Sequence, residues 1–241
     1  MITLCLDFGN TRFKVAVFDN DTLKEVVILN DNTVEHLRSI VEIKKPQRSI
    51  LSSVVNHPAE VEDLLKENSG FHKLNSESKL PFTIPVGRPE TVGADRLAIA
   101  AASVFLFPEM NNLAIGLGSC ITFNFINQFH ELLGGSISPG MEMRFKAMNQ
   151  FTAKLPMSEG DWNVPLIGYD TKTNLQSGVV LGMASEIDGI IDLYKERYSN
   201  FNVLLTGGDI PFFEPHLKNE IFADPDLIFK GLYAISQIND A

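Results

Sequence analysis

The sequence predicts an α/β protein built from one strand-rich unit used twice. Three observations predict it. Short apolar or alternating runs, bounded by turn residues, give the order β-β-β-α-β-α-β over the first third of the chain. A similar run restarts near residue 110: placing Leu4 on Leu113, a shift of 109 residues, brings Gly9 onto Gly118, Asn10 onto Ser119 and Asp7 onto Gly116. Glycine turns border strand-like runs at Gly9, Gly118, Gly134-Gly135 and Gly207-Gly208. The expected domains are 1–109 and 110–241, with the last helix able to pack back on the first.

The elements follow in order. Residues 2–7 form an apolar strand closed by Asp7, and residues 12–18 alternate, with Phe13, Val15 and Val17 on one face and Lys14 on the other. Asp19-Asn20-Asp21 is a turn, and 23–29 the third strand. Val34, Leu37, Ile40 and Val41 predict a helix over 33–43. A strand at 48–55 is centred on Ser52-Ser53, Pro58 opens a helix over 58–67, and 71–74 is a short strand. Pro81, Pro85, Gly87 and Pro89 make 76–90 a connection. The helix at 93–105 is rich in alanine, which lets another element approach closely. The second half gives strands at 113–117, 120–126 and 131–137, a helix at 139–151, and a long connection at 154–173 holding Trp162. The strongest helical spacing spans 174–198. A strand at 202–206, a short helix at 212–217, a short strand at 221–222 and a helix at 227–238 complete the chain.

Composition narrows the function. Of 241 residues, 20 are basic and 30 acidic, a net charge of −10. Such a chain repels a polyphosphate backbone, and no Lys/Arg run offers a local exception, so no nucleic-acid partner is expected. No apolar run reaches the roughly 18 residues of a membrane span, and residues 2–6 read as a folded strand rather than a leader. Cys5 and Cys120 are too few for a disulfide framework, and both are expected buried and reduced, as in a cytoplasmic protein.

The residues able to carry chemistry lie in the glycine turns. Asp7, Gly9, Asn10, Thr11, Arg12 and Lys14 read either as a hairpin turn or as a phosphate cradle, with Asp7 placed to hold Mg²⁺. Gly93, Ala94, Asp95 and Arg96 set an acid beside a base at a helix start, which suits either the helix dipole or a general base next to an anion site. Gly116 to Thr122 repeats the first cradle with Ser119. Gly134 to Gly140 precedes a helix N-terminus. The five histidines show no metal-ligand spacing, and no Ser-His-acid arrangement or Walker A motif is visible. Together the turns suggest a nucleotide held in a cleft between two domains.

The segments 7–12 (Asp-Phe-Gly-Asn-Thr-Arg), 93–96 (Gly-Ala-Asp-Arg), 134–140, 152–156, 176–178 and 206–209 occur in an order and spacing that resembles type III pantothenate kinase. The resemblance implies the acetate and sugar kinase/Hsp70/actin superfold, two ribonuclease-H-like domains with ATP between them. It implies ATP-dependent phosphorylation of pantothenate, the first step of coenzyme A synthesis, by a cytoplasmic homodimer. By position, Asp7 to Lys14 would form the first ATP loop, with Asp7 near Mg²⁺, and Ser119 a second ATP contact. Gly93, Ala94, Asp95 and Arg96 would bind pantothenate, with Asp95 as proton acceptor, and Thr171 would be a further substrate contact.

The chain departs from that family at three places. The family's Asp that is associated with K⁺ or NH₄⁺ is Gly116 here, a second Asp is Asn124, and a substrate-motif Tyr aligns with Val86. These losses leave an alternative: a catalytically weakened homologue that binds nucleotide as an accessory or regulatory protein.

Overall fold

The computed structural model describes residues 1–239. The first half runs β1 (Ile2–Phe8), β2 (Phe13–Asp19), β3 (Thr22–Ile28), α1 (Thr33–Lys44), β4 (Arg48–Ser53), α2 (Ala59–Asn68), β5 (Gly70–Lys73) and α3 (Ala94–Leu106). The second runs β6 (Asn111–Leu117), β7 (Cys120–Ile126), β8 (Leu132–Pro139), α4 (Met141–Phe151), α5 (Thr171–Lys195), β9 (Phe201–Gly207), α6 (Ile210–Phe213), β10 (Phe222–Ala223) and α7 (Leu227–Ile238).

The strands form two five-stranded sheets, ordered β3-β2-β1-β4-β5 and β8-β7-β6-β9-β10. Raising each strand number by five converts the first order into the second. In the first sheet β1–β2 and β2–β3 are antiparallel, while β1–β4 and β4–β5 are parallel. In the second, β6–β9 and β9–β10 are parallel. The 109-residue shift carries both ends of β1 onto the ends of β6. The turn that follows differs, with residues 9–12 in the first half and only 118–119 in the second. This is a duplicated ribonuclease-H-like α/β unit.

The chain divides into two units. One comprises Met1–Glu109, Ile126–Leu133 and residues 226–239; the other comprises Met110–Phe125 and Gly134–Pro225. In the first, the central strand β1 is buried on both faces. Leu4, Leu6 and Phe8 pack with Leu37, Val41, Leu64 and Leu65 of α1 and α2. Cys5 packs with Leu97 and Ala101 of α3 and with Leu232 and Ile235 of α7. Two-sided burial is why β1 reads as a continuous apolar run. The alanines of α3 serve the close approach expected of them: a Cβ on Gly231 of α7 would lie 1.8 Å from the Ala98 carbonyl oxygen.

In the second unit α5 buries Leu175, Val179, Val180, Met183, Ile187 and Ile191 at helical spacing. Phe125 meets Tyr194, Tyr198 and Phe201, which ties the end of α5 to the sheet. Some boundaries differ from expectation. Helix α5 starts at Thr171 because Asp170 and Thr173 form a capping box. Pro139 closes a strand instead of opening a helix, since Gly140 is the N-cap of α4. The short helix expected at 212–217 begins two residues earlier, as α6, and continues as a 3-10 turn over Glu214–His216. Cys5 is buried, but Cys120 is only half-buried. Among the described residues no helix is long and apolar enough to cross a membrane.

Candidate functional site

Asp7 lies at the C-terminal end of β1, paired with Lys14 on β2 and with Ser52 on β4. Strand alternation puts Asp7 and Ser52 on the face where Cys5 and Ile50 pack toward α3 and α7. The N-terminus of α3 carries Asp95 and Arg96 to the same neighbourhood. Burial, then the Asp95 carboxylate, push the Asp7 carboxyl up to about 7, against the opposing pull of Lys14. Two carboxylates of different motifs, 88 positions apart in sequence, therefore share one field.

Asp95 is held in place by its own helix. Its Oδ1 accepts the Arg96 backbone N–H at 2.9 Å. A Cβ on Gly93 would come within 2.6 Å of that oxygen, so Gly93 leaves room for the carboxylate. Gly93 to Arg96 thus serve both the helix start and the site: the dipole holds an anion whose charge also acts on Asp7. Arg96 is half-buried, and burial lowers its pKa, with Asp95 opposing that shift.

The turn after β1 is closed by the Gly9 N–H donating to the Arg12 carbonyl at 3.2 Å. Asn10, Thr11 and Arg12 are exposed, while Lys14 is half-buried beside Asp7. A Cβ on Gly9 would meet only ordinary contacts, 3.7 Å to the Arg12 carbonyl, so the fold itself does not demand glycine here. The second cradle is different. A Cβ on Gly140 would fall 2.1 Å from the Gly118 carbonyl oxygen, and the Gly140 N–H donates to the Ser119 carbonyl at 3.0 Å. Gly207, with φ of 113°, passes Leu117 as closely, 2.0 Å from a Cβ to the carbonyl oxygen. Three glycine turns distant in sequence thus converge on the C-terminal end of β6, with Ser119 among them. Glu142 of α4 and burial both act on Asp209 nearby and raise its pKa, burial more strongly.

The residues suit a magnesium nucleotide. Asp7 is an oxygen donor of the kind Mg²⁺ takes, and beside it the Ser52 hydroxyl is fully buried with no hydrogen-bond partner among the described residues. An orphaned hydroxyl next to a carboxylate fits a site completed by a ligand or its water. No group of three or more His, Cys, Asp or Glu forms a metal cage among the described residues.

The departures also have structural readings. Gly116 pairs with Thr206 within the buried part of β6 and is not among the glycines of positive φ. Asn124 is fully buried and donates Nδ2 to the Ala114 carbonyl at 3.1 Å, a bond an ionised Asp could not make. Val86 is half exposed. Thr171 is exposed at the first position of α5. Gln176 and Ser177, part of the matched pattern, anchor the preceding connection by donating to the Glu159 and Leu166 carbonyls. One arrangement escaped the sequence reading: Ser53, His57 and Glu62 form a hydrogen-bonded Ser-His-acid chain. His57 stands four residues after Ser53, and only the geometry joins them.

Comparison with known proteins agrees with these features. Residues 3–193 match the family model for type III pantothenate kinase. A type III pantothenate kinase of Flavobacterium johnsoniae is 38% identical over 232 residues, covering 95% of each chain. That of Cytophaga hutchinsonii is 38% identical over 241 residues, covering 99% of this chain and all of its own. Among solved structures, a protein described as a Baf family transcriptional activator from Campylobacter jejuni superposes with a TM-score of 0.63 at 23% identity, covering 97% of each chain. A glucokinase from an Antarctic psychrotroph does so with a TM-score of 0.54 at 11% identity, covering 99% of each. At such identities the structural likeness speaks for the fold alone.

Proposed function

The chain belongs to the type III pantothenate kinase family, and on that premise we propose that it transfers the γ-phosphoryl group of ATP to the terminal hydroxyl of pantothenate. The product is 4'-phosphopantothenate, the first intermediate of coenzyme A biosynthesis. The observation that carries this reading is the Asp7–Asp95 pair, set by β1 and the start of α3 beside Arg96.

Asp95 accepts the hydroxyl proton as the oxygen attacks the γ-phosphorus. The bond to the bridging oxygen breaks, and ADP leaves with that electron pair. Gly93, Ala94 and Arg96 hold pantothenate around this carboxylate, and Thr171 adds a further contact. Gly9 to Arg12 present backbone and side-chain donors to the phosphates, Lys14 adds positive charge, and Ser119 supplies a hydroxyl from the second cradle. Asp7, with the Ser52 hydroxyl beside it, would hold the magnesium of the nucleotide, which would supply charge neutralisation on the phosphoryl oxygens. The accessory-protein alternative has nothing in its favour among the relatives, and both carboxylates that the chemistry needs are present.

The reading extends to cation and assembly. Gly116 offers no carboxylate where the resemblance implies the K⁺- or NH₄⁺-associated Asp, so activation by these ions is weak in this reading. A homodimer is supported by Phe151, Leu166, Ile167 and Tyr169, each 81–83% exposed on one unit. Mass spectrometry of a reaction holding ATP, Mg²⁺ and pantothenate should find the phosphate ester in step with ADP. ADP formed without the ester would sink the assignment.

A further inference from the structure

We propose that His57 is a positioning residue for the phosphate loop, acting through Phe8 and Phe13, the two residues that bracket the loop. The inference rests on reading residues 9–12 as that loop. Phe8 and Phe13 are cross-strand partners, and their rings stack at 4.2 Å with planes 5° apart. Phe8 is fully buried. The loop therefore leaves the sheet from a rigid aromatic base rather than from two independent strand ends. The His57 ring meets Phe8 edge-on, with centroids 5.4 Å apart and planes 86° apart. The Val54 N–H also donates to the Phe8 carbonyl at 3.2 Å, so the segment leading to His57 grips the same residue from its backbone.

His57 is fixed at both nitrogens. Nδ1 lies 3.0 Å from Ser53 Oγ, and Nε2 lies 3.2 Å from Glu62 Oε1. Its side chain is 6% exposed. Glu62 is in turn held by Lys73 at 2.7 Å and Lys66 at 3.5 Å. Lys73, more than burial or the other partners, sets its carboxyl below the usual range, so it stays anionic. An anionic Glu62 draws the ring hydrogen to Nε2 and fixes the plane of the imidazole against Phe8. The chain Lys73–Glu62–His57–Phe8 thus runs from β5 and α2 to the base of the loop.

These contacts have the pattern of a nucleophilic triad, but the surroundings do not suit one. Ser53 Oγ also lies 2.9 Å from the Val55 carbonyl, which competes with His57 Nδ1 for the single hydroxyl hydrogen, and 3.5 Å from the Val55 N–H, so the serine is folded into its own turn. What the ring presents its edge to is an aromatic side chain, not an opening for substrate.

A loop that holds the non-reacting phosphates equally in ground and transition states contributes to ATP binding more than to turnover. His57→Ala should therefore raise the ATP KM about tenfold with kcat and the pantothenate KM within about twofold. The Mg-ADP Kd from calorimetry should rise by the same factor. His57→Gln, which can still bond at both ends, should recover much of the loss. Glu62→Gln keeps the packing and should raise the ATP KM about threefold, so it decides the matter if His57→Ala does not fold. Unchanged ATP and ADP affinity in both His57→Ala and Glu62→Gln overturns the proposal, as does a uniform loss in which kcat and both KM values change together. Thr11→Ala separates the two readings. If it weakens ATP binding and the His57 and Glu62 variants do not, this inference alone fails. If Thr11→Ala has no effect on ATP, the phosphate-loop reading beneath it fails.

Discussion

In the proposed reaction two carboxylates carry the chemistry, and each makes a prediction of its own. Asp95→Asn keeps the size of the side chain and the acceptor for the Arg96 N–H, but it removes the proposed base. Its kcat should fall about 10²–10⁴-fold with the circular dichroism spectrum and Tm preserved. A variant with near-wild-type kcat would mean that another group takes the proton. Asp7 makes a prediction about pH. Its pKa is raised above the ordinary 3.8 to about 7, chiefly by burial. Between those values the ligand-free folded state holds a proton that the unfolded chain has lost. The stabilisation is complete below about pH 4 and is lost as the pH rises toward about 7, a change on the order of a few kcal/mol. Asp7→Asn, always neutral, should lose less Tm than wild type between pH 5 and pH 8. The same proton competes with a cation, so Mg-ADP affinity in wild type should weaken as the pH falls below about 7. A wild-type Tm with the same pH response as Asp7→Asn would remove the buried-carboxyl account.

Close helix and turn packing carries the architecture at the next scale. Gly231 lets α7 lie backbone to backbone on α3 at Ala98, and a methyl there must push the helices apart. Gly231→Ala should cost about 1–3 kcal/mol or more in urea unfolding. Gly189, in α5, has nothing within 4 Å of a Cβ, so Gly189→Ala should instead stabilise by up to about 1 kcal/mol. Opposite signs from one chemical change would separate a packing glycine from a tolerated one. The elements themselves were largely legible, because β1, β2 and α5 carry clean periodicities that burial imposes. Boundaries were less so. The Asp170–Thr173 capping box lies outside the apolar spacing, which starts only at Leu175. The Asp7–Asp95 pairing was suggested only by resemblance, since no spacing rule connects strand β1 to helix α3. The Ser53–His57–Glu62 chain was invisible for a related reason. It joins a strand end, a loop and a helix face, and no single period spans all three.

The whole molecule repeats one topology, and the repeat explains where the chemistry sits. Equivalent strand ends, at Gly9 after β1 and Gly118 after β6, become the two turns assigned to phosphate. The copies have diverged in ways the sequence shift hides: the second turn is two residues shorter, and Asp7 in one copy corresponds to Gly116 in the other. Gly116→Asp should therefore increase the response to K⁺ at constant ionic strength, because the strand backbone there is one that Asp can adopt. Strong, saturable K⁺ activation of wild type with no gain in the variant would show that position 116 is not the altered ligand position. The central claim is the identity of the phosphoryl acceptor. Its most direct test is a coupled ADP-release assay on the wild-type chain with Mg-ATP, run in parallel with pantothenate, glucose, other sugars and acetate. Turnover should be saturable with pantothenate alone and accompanied by equimolar 4'-phosphopantothenate. Comparable turnover with a sugar or acetate, or none with pantothenate, would contradict it.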